Sequence, residues 1–340
     1  MPRPNFFEHL HPPTIPADQG RFRYTFGLGG LGVFLFLVVL GTGALLLFYY
    51  IPSGSGANAS VQLLAYHVPF GWLIRNLHYW AAQALVVVAA LHLLRVALTG
   101  GFRLPRRFNW LIGLVLLVLA AALDFTGYAL RWDTGVGWAM TVGTNLLRQI
   151  PLIGEGLYRL AVGGPVISGA TVVRFYGWHV FGLFLPGAVV IVWHIFRVRR
   201  DGGISRPAYT PGNPEARISR RTLVAREVLA TILAGALLLV LSTVCNASLG
   251  AAFDATQASL DAKAPWFFLW IQELLRVGNP LWMGVLLPAI LLILAALIPY
   301  VVDRGRNAGR WFPVDGRPAQ VIILGITALV VGLTLLGAIR

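Results

Sequence analysis

The sequence predicts an all-α polytopic membrane protein with about seven transmembrane helices. Of its 340 residues, 57% are apolar and only 12% are charged, and the mean hydropathy is +0.73. These values lie outside the ordinary range of soluble domains. Seven apolar stretches are long enough to cross about 30 Å of hydrocarbon as helices, whereas barrel strands would be shorter and would alternate. The stretches lie at 30–51, 78–99, 110–130, 176–198, 224–247, 281–301 and 319–339.

A polar linker divides these helices into two groups. Residues 199–222, "RRDGGISRPAYTPGNPEARISRRT", are rich in Pro, Gly and Arg and interrupt the apolar pattern. We therefore predict a four-helix domain at 1–207 and a three-helix domain at 208–340. The connections 131–175 and 248–280 are long for a membrane protein, and long ordered loops are often functional.

The basic residues fix the expected orientation. The net charge is +14, and 19 of the 27 basic residues fall in alternate loops, on the same side as the N-terminus. This asymmetry is the positive-inside pattern, so we expect a cytoplasmic N-terminus and a C-terminus on the outer side. Topology accounts for most of the charge, which argues against a nucleic-acid partner. The single cysteine, Cys245, excludes an intrachain disulfide and a CxxCH site for covalent haem.

Four histidines lie inside two of the apolar stretches. His78 and His92 on the second stretch are 14 residues apart, and His179 and His194 on the fourth are 15 apart. These spacings turn a helix by a net −40° and +60°, approximately, so each pair stays roughly on one face, about 21–22 Å apart. Both helices run from outside to inside, which matches His78 with His179 in depth, and His92 with His194.

Matched imidazoles at two depths predict two haem sites. Neutral imidazole is a good axial ligand of haem iron, and ligation by two histidines leaves no open position, which suits electron transfer. A single such histidine could instead be a hydrogen-bonded packing residue. A metal-ion pair or a proton relay would recruit carboxylates, which the centres of these two helices lack. We therefore expect both pairs to be iron ligands within the four-helix bundle.

Arginines and glycines occur at positions that fit haem. Arg75 and Arg95 each lie one helical turn from a histidine, where they could pair with haem propionates; for Arg95, snorkelling to the headgroups is an equal alternative. Glycines also recur with a spacing of fourteen, which would let a flat macrocycle approach a helix, although small-residue helix packing would explain them too. They are Gly29, Gly43, Gly113 and Gly127.

Several motifs resemble cytochrome b of the quinol:cytochrome c or plastocyanin oxidoreductases. The likeness covers nearly the whole chain and is closest to the cytochrome b6 branch, with the second block similar to a fused subunit IV. It is strongest in residues 25–207. The motifs are "GWLIRNLHYW", "LHLLRVALTGGF", "TGYALRWD", "IPLIGEGLYRL", "RFYGWH" and "GISRP".

The resemblance implies a role for each matched residue. His78 and His179 match the ligands of the outer haem, and His92 and His194 those of the inner haem, both non-covalent b-type haems. Arg75 and Arg95 match propionate partners, and Arg199 matches a basic residue near an inner quinone site. The loop 131–150 and the segment from Ala264, which includes Trp266, match the walls of a quinol-oxidation pocket, and the motif "TGYALRWD" adds Tyr128 as a candidate there.

The chain also departs from the family at this pocket. The PEWY motif is replaced by Ala264-Pro265-Trp266-Phe267, so the glutamate thought to accept a quinol proton is absent. Our hypothesis is that Glu273 or Asp133 takes that proton. Arg131 replaces the proline expected in "LPW", and Leu35 replaces the cysteine that anchors an extra haem in the b6f branch.

The function implied by the resemblance is electron transfer across the bacterial inner membrane. Quinol, either menaquinol or ubiquinol, would give one electron to a Rieske-type iron–sulfur protein that serves a c-type cytochrome or similar acceptor. The other electron would cross both haems to quinone at the inner site, with proton translocation. The expected assembly is a homodimer within a larger complex. The alternatives are a two-haem anchor of a dehydrogenase or hydrogenase, and a haem-free transporter or scaffold.

Overall fold

A computed structural model describes residues 12–207, 216–254, 263–303, 305 and 308–340. Within these ranges, seven helices are long and apolar enough to span a membrane, so the predicted fold class is confirmed. The predicted domain boundary at 207/208 borders 208–215, a segment outside the described residues. The membrane helices are α1 (Leu28–Leu46), α3 (Gly71–Leu98), α4 (Arg107–Ala129), α7 (Gly169–Arg200), α8 (Arg220–Val244), α10 (Leu281–Val302) and α11 (Arg317–Ile339).

Shorter elements fill the connections. The long loop between α4 and α7 contains α5 (Thr134–Arg148) and α6 (Gly154–Val162), and the loop between α8 and α10 contains α9 (Leu269–Val277). Helix α2 (Gly56–Tyr66) links α1 to α3. Strands β1 (Thr14–Pro16) and β2 (Arg217–Ser219) pair antiparallel, which ties the N-terminal segment to the linker before α8.

Two membrane helices begin seven residues earlier than the apolar windows predict. Helix α3 begins at Gly71 rather than 78, and α7 begins at Gly169 rather than 176. An apolar window marks only the part of a helix that lies in hydrocarbon, and the backbone bonds continue through polar residues beyond it. At α7 a capping box sets the start, where the Ser168 amide donates to Thr171 Oγ1 at 3.0 Å.

The apolar side chains of these helices point largely outward. Val189, Leu237 and Val321 are about 70% exposed, and they belong to three different membrane helices. In water such surfaces would associate, whereas a bilayer solvates them directly. The outward faces are therefore lipid-facing surfaces.

The first four membrane helices form one bundle, and the last three pack against it. Helix α1 packs on α3, α4 on α7, and α3 on α4. Helix α8 covers α1 and α3, whereas α10 leans on α4. A buried cluster joins the two groups, in which Trp110 Nε1 donates to the Ala295 carbonyl at 2.8 Å.

A buried arginine also joins the two groups. Arg103, in the turn after α3, is 1% exposed and donates to both carboxylate oxygens of Asp303 at 2.9 Å. It also donates to Asp315 at 3.0 Å. Burial alone would lower the pKa of Arg103, but the hydrogen bonds that it donates to Asp303 and Asp315 outweigh burial and raise that pKa. The guanidinium therefore stays charged where the three-helix block meets the four-helix block.

We expect Arg103→Met to destabilise the chain strongly. Removing one partner of a buried pair leaves an uncompensated carboxylate, which costs about 3–5 kcal/mol. Arg159→Met is the matched control, because Arg159 is exposed in its ion pair with Glu155 and such pairs contribute about 0–1 kcal/mol. Unfolding by SDS titration in mixed micelles measures both. Equal stabilities for the two variants would contradict the prediction.

Candidate functional site

Helices α3 and α7 bring the four histidines together as two pairs. The ring centroids of His78 and His179, the outer pair, are 6.3 Å apart with an interplanar angle of 73°. Those of His92 and His194, the inner pair, are 6.4 Å apart at 80°. A metal–imidazole bond is about 2 Å long, so one metal ion between two rings holds their centroids roughly 6 Å apart. Each pair therefore has the separation that both rings would need to hold one metal ion between them.

A π-helical segment in α7 keeps both pairs in register. Residues Trp178–Leu183, which include His179, form π-helix within the longer α-helix. A π-turn accommodates an additional residue and is frequent at functional sites. On an uninterrupted α-helix, the 15-residue spacing would rotate one histidine by about 100° relative to the 14-residue spacing. The π-segment absorbs that extra residue, so α7 presents both rings to α3.

The outer pair is oriented by two threonines. The Thr42 hydroxyl donates to the Val38 carbonyl at 2.6 Å, so its lone pairs accept from His78 Nδ1 at 3.0 Å. Thr126 likewise donates to the Ala122 carbonyl and lies 3.1 Å from His179 Nδ1, which also lies 3.0 Å from the Leu123 carbonyl. With the proton on Nδ1, each Nε2 carries the lone pair that a metal needs.

The inner pair has no such threonines. The residues that precede Gly29 and Gly113 are Leu28 and Ile112, where the outer site has Thr42 and Thr126. His194 Nδ1 is buried without a hydrogen-bond partner among the described residues. The two sites thus share ligands and ring separation but differ in the hydrogen bonds behind the ligands.

Each recurring glycine lies against one histidine ring. A Cβ on Gly127 would approach His179 Cε1 to 2.8 Å, and one on Gly43 would approach His78 Cε1 to 3.1 Å. At the inner pair the distances are longer, 3.5 Å from Gly29 to His92 and 3.7 Å from Gly113 to His194. The missing side chains therefore leave room for the ligand rings, most tightly at the outer pair.

The two predicted propionate partners have different surroundings. Arg75 donates to the carbonyls of Ala247 and Ser248 at 2.8 and 2.7 Å, at the end of α8. Arg95 is buried rather than extended to the headgroups; its Nε donates to the Tyr24 carbonyl at 2.9 Å. Its buried Nη2 has no partner among the described residues. An anion such as a haem propionate would satisfy that donor, and so Arg95 fits the predicted role.

A cavity of about 360 Å³ surrounds the outer pair. It extends from the two rings to the segment after Ala264 and is mostly apolar, with a few polar groups at one end, as ligand sites commonly are. Five predicted site residues line it besides the outer histidines: Gly43, Arg75, Gly127, Tyr128 and Trp266. The cavity also contains two polar residues that the sequence analysis did not single out, Gln83 and Asp124.

Tyrosine hydroxyls contribute to the polar end of this cavity. Burial, and then the neighbouring Tyr176, raise the pKa of Tyr50, which lies just after α1. Its hydroxyl therefore stays protonated and donates to the Leu130 carbonyl at 2.9 Å. The guanidinium of Arg131 lies over the ring of Tyr128, 4.6 Å from its centroid. A positive charge thus stands at the end of the cavity.

Glu273 and Asp133 do not line the cavity. Glu273 is 3% exposed and pairs with Arg276 at 3.2 Å and Arg340 at 3.1 Å. Asp133 caps α5, pairs with Arg131 at 3.2 Å, and accepts from the Val136 and Gly250 amides. Both carboxylates are already satisfied by protein donors, although their predicted role stays a prediction.

Arg199 lies at the opposite end of α7 from the cavity. It is half-buried and feels the charges of Arg220 and Glu227, at the start of α8. Arg199 therefore belongs to a second cluster of charged groups, away from the outer cavity. Among the described residues, no group of three or more His, Cys, Asp or Glu side chains could hold a metal ion. Neither histidine pair is therefore part of a metal centre of that kind.

The sequence did carry a signal for Asp124. It is a carboxylate within the apolar window 110–130, and ionisable residues at such depth are by default functional. The absence of carboxylates that favoured haem concerned only the two histidine helices, whereas Asp124 lies on α4. Its contact with Gln83 joins helices α4 and α3, which no spacing within one helix reveals.

Comparison with known proteins agrees with this arrangement. The sequence pattern of the family described as Cytochrome b/b6/petB matches residues 17–202. Cytochrome b6 of Synechococcus elongatus is 41% identical over 180 residues, covering 53% of this chain and 83% of that protein. A chain of a hyperthermophilic respiratory Complex III has the same fold, with a TM-score of 0.77 and 19% identity over 93% of this chain and 91% of that one.

The fold and the paired histidines define an integral membrane protein built to hold prosthetic groups between helices. The matched pattern covers more than half of the chain and includes all four histidines. The chain belongs to the cytochrome b/b6 family. Membership implies b-type haem and a place as a subunit of a redox enzyme complex.

We expect Gly127→Ala to disturb the outer site and Gly113→Ala to be tolerated. A methyl group on Gly127 would lie 2.8 Å from the His179 ring, which forces the ligand to move, whereas on Gly113 it would be in ordinary contact at 3.7 Å. Reduced-minus-oxidised spectra and haem content of the purified variants measure the difference. Full haem content in Gly127→Ala, or an equal loss in both variants, would count against this reading of the glycines.

Thr42→Val is expected to raise the midpoint potential of one haem only. The hydrogen bond from His78 Nδ1 makes the ligand a better electron donor, which favours the oxidised iron. A bond worth about 1 kcal/mol corresponds to roughly 40 mV for a one-electron couple. A spectroscopic redox titration resolves the two midpoints, and the inner haem, which has no matching threonine, serves as the internal control. Unchanged midpoints, or a shift of both, would refute the prediction.

Proposed function

We propose that this chain is the two-haem cytochrome b subunit of a quinol-oxidising complex of the bc/b6f type, translocating protons as it carries electrons across the bacterial inner membrane. The observation that carries the proposal is the presence of two histidine pairs with iron-ligand separation along the same two helices. One pair would provide a haem site. Two pairs at different depths provide a path for electrons.

The residues present fit b-type haem at both positions. His78 and His179 would hold one iron, and His92 and His194 the other. Arg95 offers to a propionate a buried donor that has no partner among the described residues, and glycines leave room beside all four rings. When bound, the two haems supply one-electron transfer between the membrane faces. The apolar side chains of α1, α3, α4 and α7 exclude water from the path, and the hydrogen bonds behind the ligands tune their electron donation.

The cavity beside the outer pair is the proposed site of quinol oxidation. Its apolar wall suits a lipid-soluble ring, and Trp266 and Tyr128 line it next to the histidine rings. Its closeness to His78 and His179 gives an electron a short route to the outer pair. Arg199, with Arg220 and Glu227, marks the proposed inner quinone site. Menaquinone and ubiquinone both suit these surroundings.

The proposed partners follow from the same chemistry. Oxidation of quinol releases two electrons, so a second one-electron acceptor is required beside the outer pair. A Rieske-type iron–sulfur protein and a c-type cytochrome or similar acceptor would supply it, within a larger complex that contains two copies of this chain. The proposed orientation puts the N-terminus in the cytoplasm and the C-terminus outside, as the distribution of basic residues favours.

A two-haem anchor subunit of a dehydrogenase or hydrogenase is the second candidate. It would use the same histidine pairs, but it would reduce quinone at one site and receive electrons from a peripheral subunit. The observation against it is the block α8–α11, which packs on the haem bundle and supplies Pro265 and Trp266 to the outer cavity. Quinol oxidation that stops with inhibitors of an outer site would separate the two functions.

We expect the purified protein to contain two b-type haems per chain, and His179→Leu to retain one. Loss of a single ligand opens the outer site and leaves His92 and His194 in place. The pyridine haemochrome assay counts the haems, and a redox titration shows which midpoint disappears. His67→Leu is the control, because His67 lies outside the pairs, after α2. One haem or none in the unaltered protein would contradict the proposal.

A further inference from the structure

The outer cavity contains a carboxyl group within the membrane. Asp124 is 9% exposed, lies on α4, and is the one carboxylate among the described residues that line the cavity. Burying such a group in an apolar wall is costly, and proteins retain it where it has a task. Neither the haem ligands nor the contacts between helices require an acid at this position.

The hydrogen bonds of Asp124 hold it without using all its acceptors. Gln83 Nε2, on α3, donates to both carboxylate oxygens, at 2.8 and 3.0 Å. Trp266 Nε1 donates to Gln83 Oε1. An indole nitrogen is only a donor, so it orients the amide oxygen toward Trp266 and the amide NH₂ toward Asp124. A carboxylate has about four acceptor sites, so Asp124 retains capacity for another donor from the cavity.

The other charged and titratable groups that line the cavity are arginines, histidines and tyrosines, not acids. The segment that contributes Trp266 has Pro265 and Phe267 beside it and carries no acid there. Arg75 and Arg131 supply the positive charge of the lining. The remaining titratable side chains in the lining are the iron ligands and phenols of Tyr49, Tyr50, Tyr79, Tyr128 and Tyr176.

We infer that Asp124 accepts a proton from quinol bound in the outer cavity, with Gln83 and Trp266 positioning its carboxyl group. The inference rests on the proposed quinol oxidation, because a different substrate would bring no hydroxyl to this acid. It assigns the base to a residue that lines the cavity, whereas Glu273 and Asp133 lie outside the lining and are each paired with an arginine.

Oxidation of one quinol to quinone breaks two O–H bonds and releases two electrons and two protons. The electrons pass singly to the iron–sulfur centre of the partner protein and to the outer haem, which are the acceptors of the proposed function. One proton forms a new O–H bond on Asp124, and the other leaves on the side of the iron–sulfur partner. Asp124 then returns its proton to the outer water phase.

The test is quinol oxidation by the purified complex with Asp124→Asn, Asp124→Glu and Glu155→Gln variants. A short-chain synthetic quinol is the substrate, with kcat and KM measured across pH. Asparagine has the same shape as aspartate and still accepts from Gln83, but it cannot take a proton. General-base catalysis contributes about 10²–10⁴-fold, so we expect kcat of Asp124→Asn to fall by roughly a hundredfold with KM nearly unchanged.

The other variants separate chemistry from structure. Asp124→Glu keeps a base and should restore much of the turnover with a displaced pH profile. Glu155→Gln changes an exposed carboxyl outside the membrane helices to an amide and should change nothing. The haem spectrum of every variant checks folding. An Asp124→Asn enzyme with normal turnover and pH profile would overturn the inference, as would a loss of turnover that Asp124→Glu fails to relieve while the haems are intact.

The two proposals fail in different ways. If the unaltered complex binds haem but oxidises no quinol, the proposed function falls and this inference falls with it. If the unaltered complex oxidises quinol and Glu273→Gln abolishes turnover whereas Asp124→Asn does not, only the inference falls, and Glu273 is the base.

Discussion

The two imidazole rings of each pair must face each other, and the two pairs must lie at different depths. The rest of the bundle follows from that constraint. Helices α3 and α7 have to run in the same direction and keep the same angular position over about 21 Å. Their histidine spacings differ by one residue, so two ideal helices could satisfy only one pair. The π-segment at Trp178–Leu183 resolves the conflict, and the glycines of α1 and α4 admit the rings thus aligned.

Much of this arrangement could be predicted because the bilayer simplifies the problem. Hydrocarbon thickness sets the length of a membrane helix, so the seven membrane helices lie close to the expected ranges. Depth follows from residue number along a helix, which made the matching of His78 with His179 accessible from spacing alone. The sequence motifs pointed to the same family that the comparisons establish. Helix starts were less accurate because α3 and α7 continue past the apolar region.

What spacing could not predict are the contacts between segments far apart in the chain. The bond from Gln83 to Asp124 crosses two helices, and Trp266 joins them from the far side of the linker. No residue type marks the π-helical segment in the sequence. Its only sign there is the one extra residue between His179 and His194. Glu273 is close in sequence to the altered motif and Asp133 is close to Arg131, whereas the cavity is lined according to the packing of α3, α4 and the segment after Ala264.

Arg103 lies before the linker, and its two carboxylate partners, Asp303 and Asp315, lie after it. The halves of the chain thus recognise each other through their surfaces, with the intervening peptide adding mainly proximity. A covalent tether raises local concentration but creates no contact. Such an architecture can be encoded by one gene or by two. Fission of the reading frame within 208–215 would leave two polypeptides that still carry complementary charges. Fusion would fix their stoichiometry at one to one.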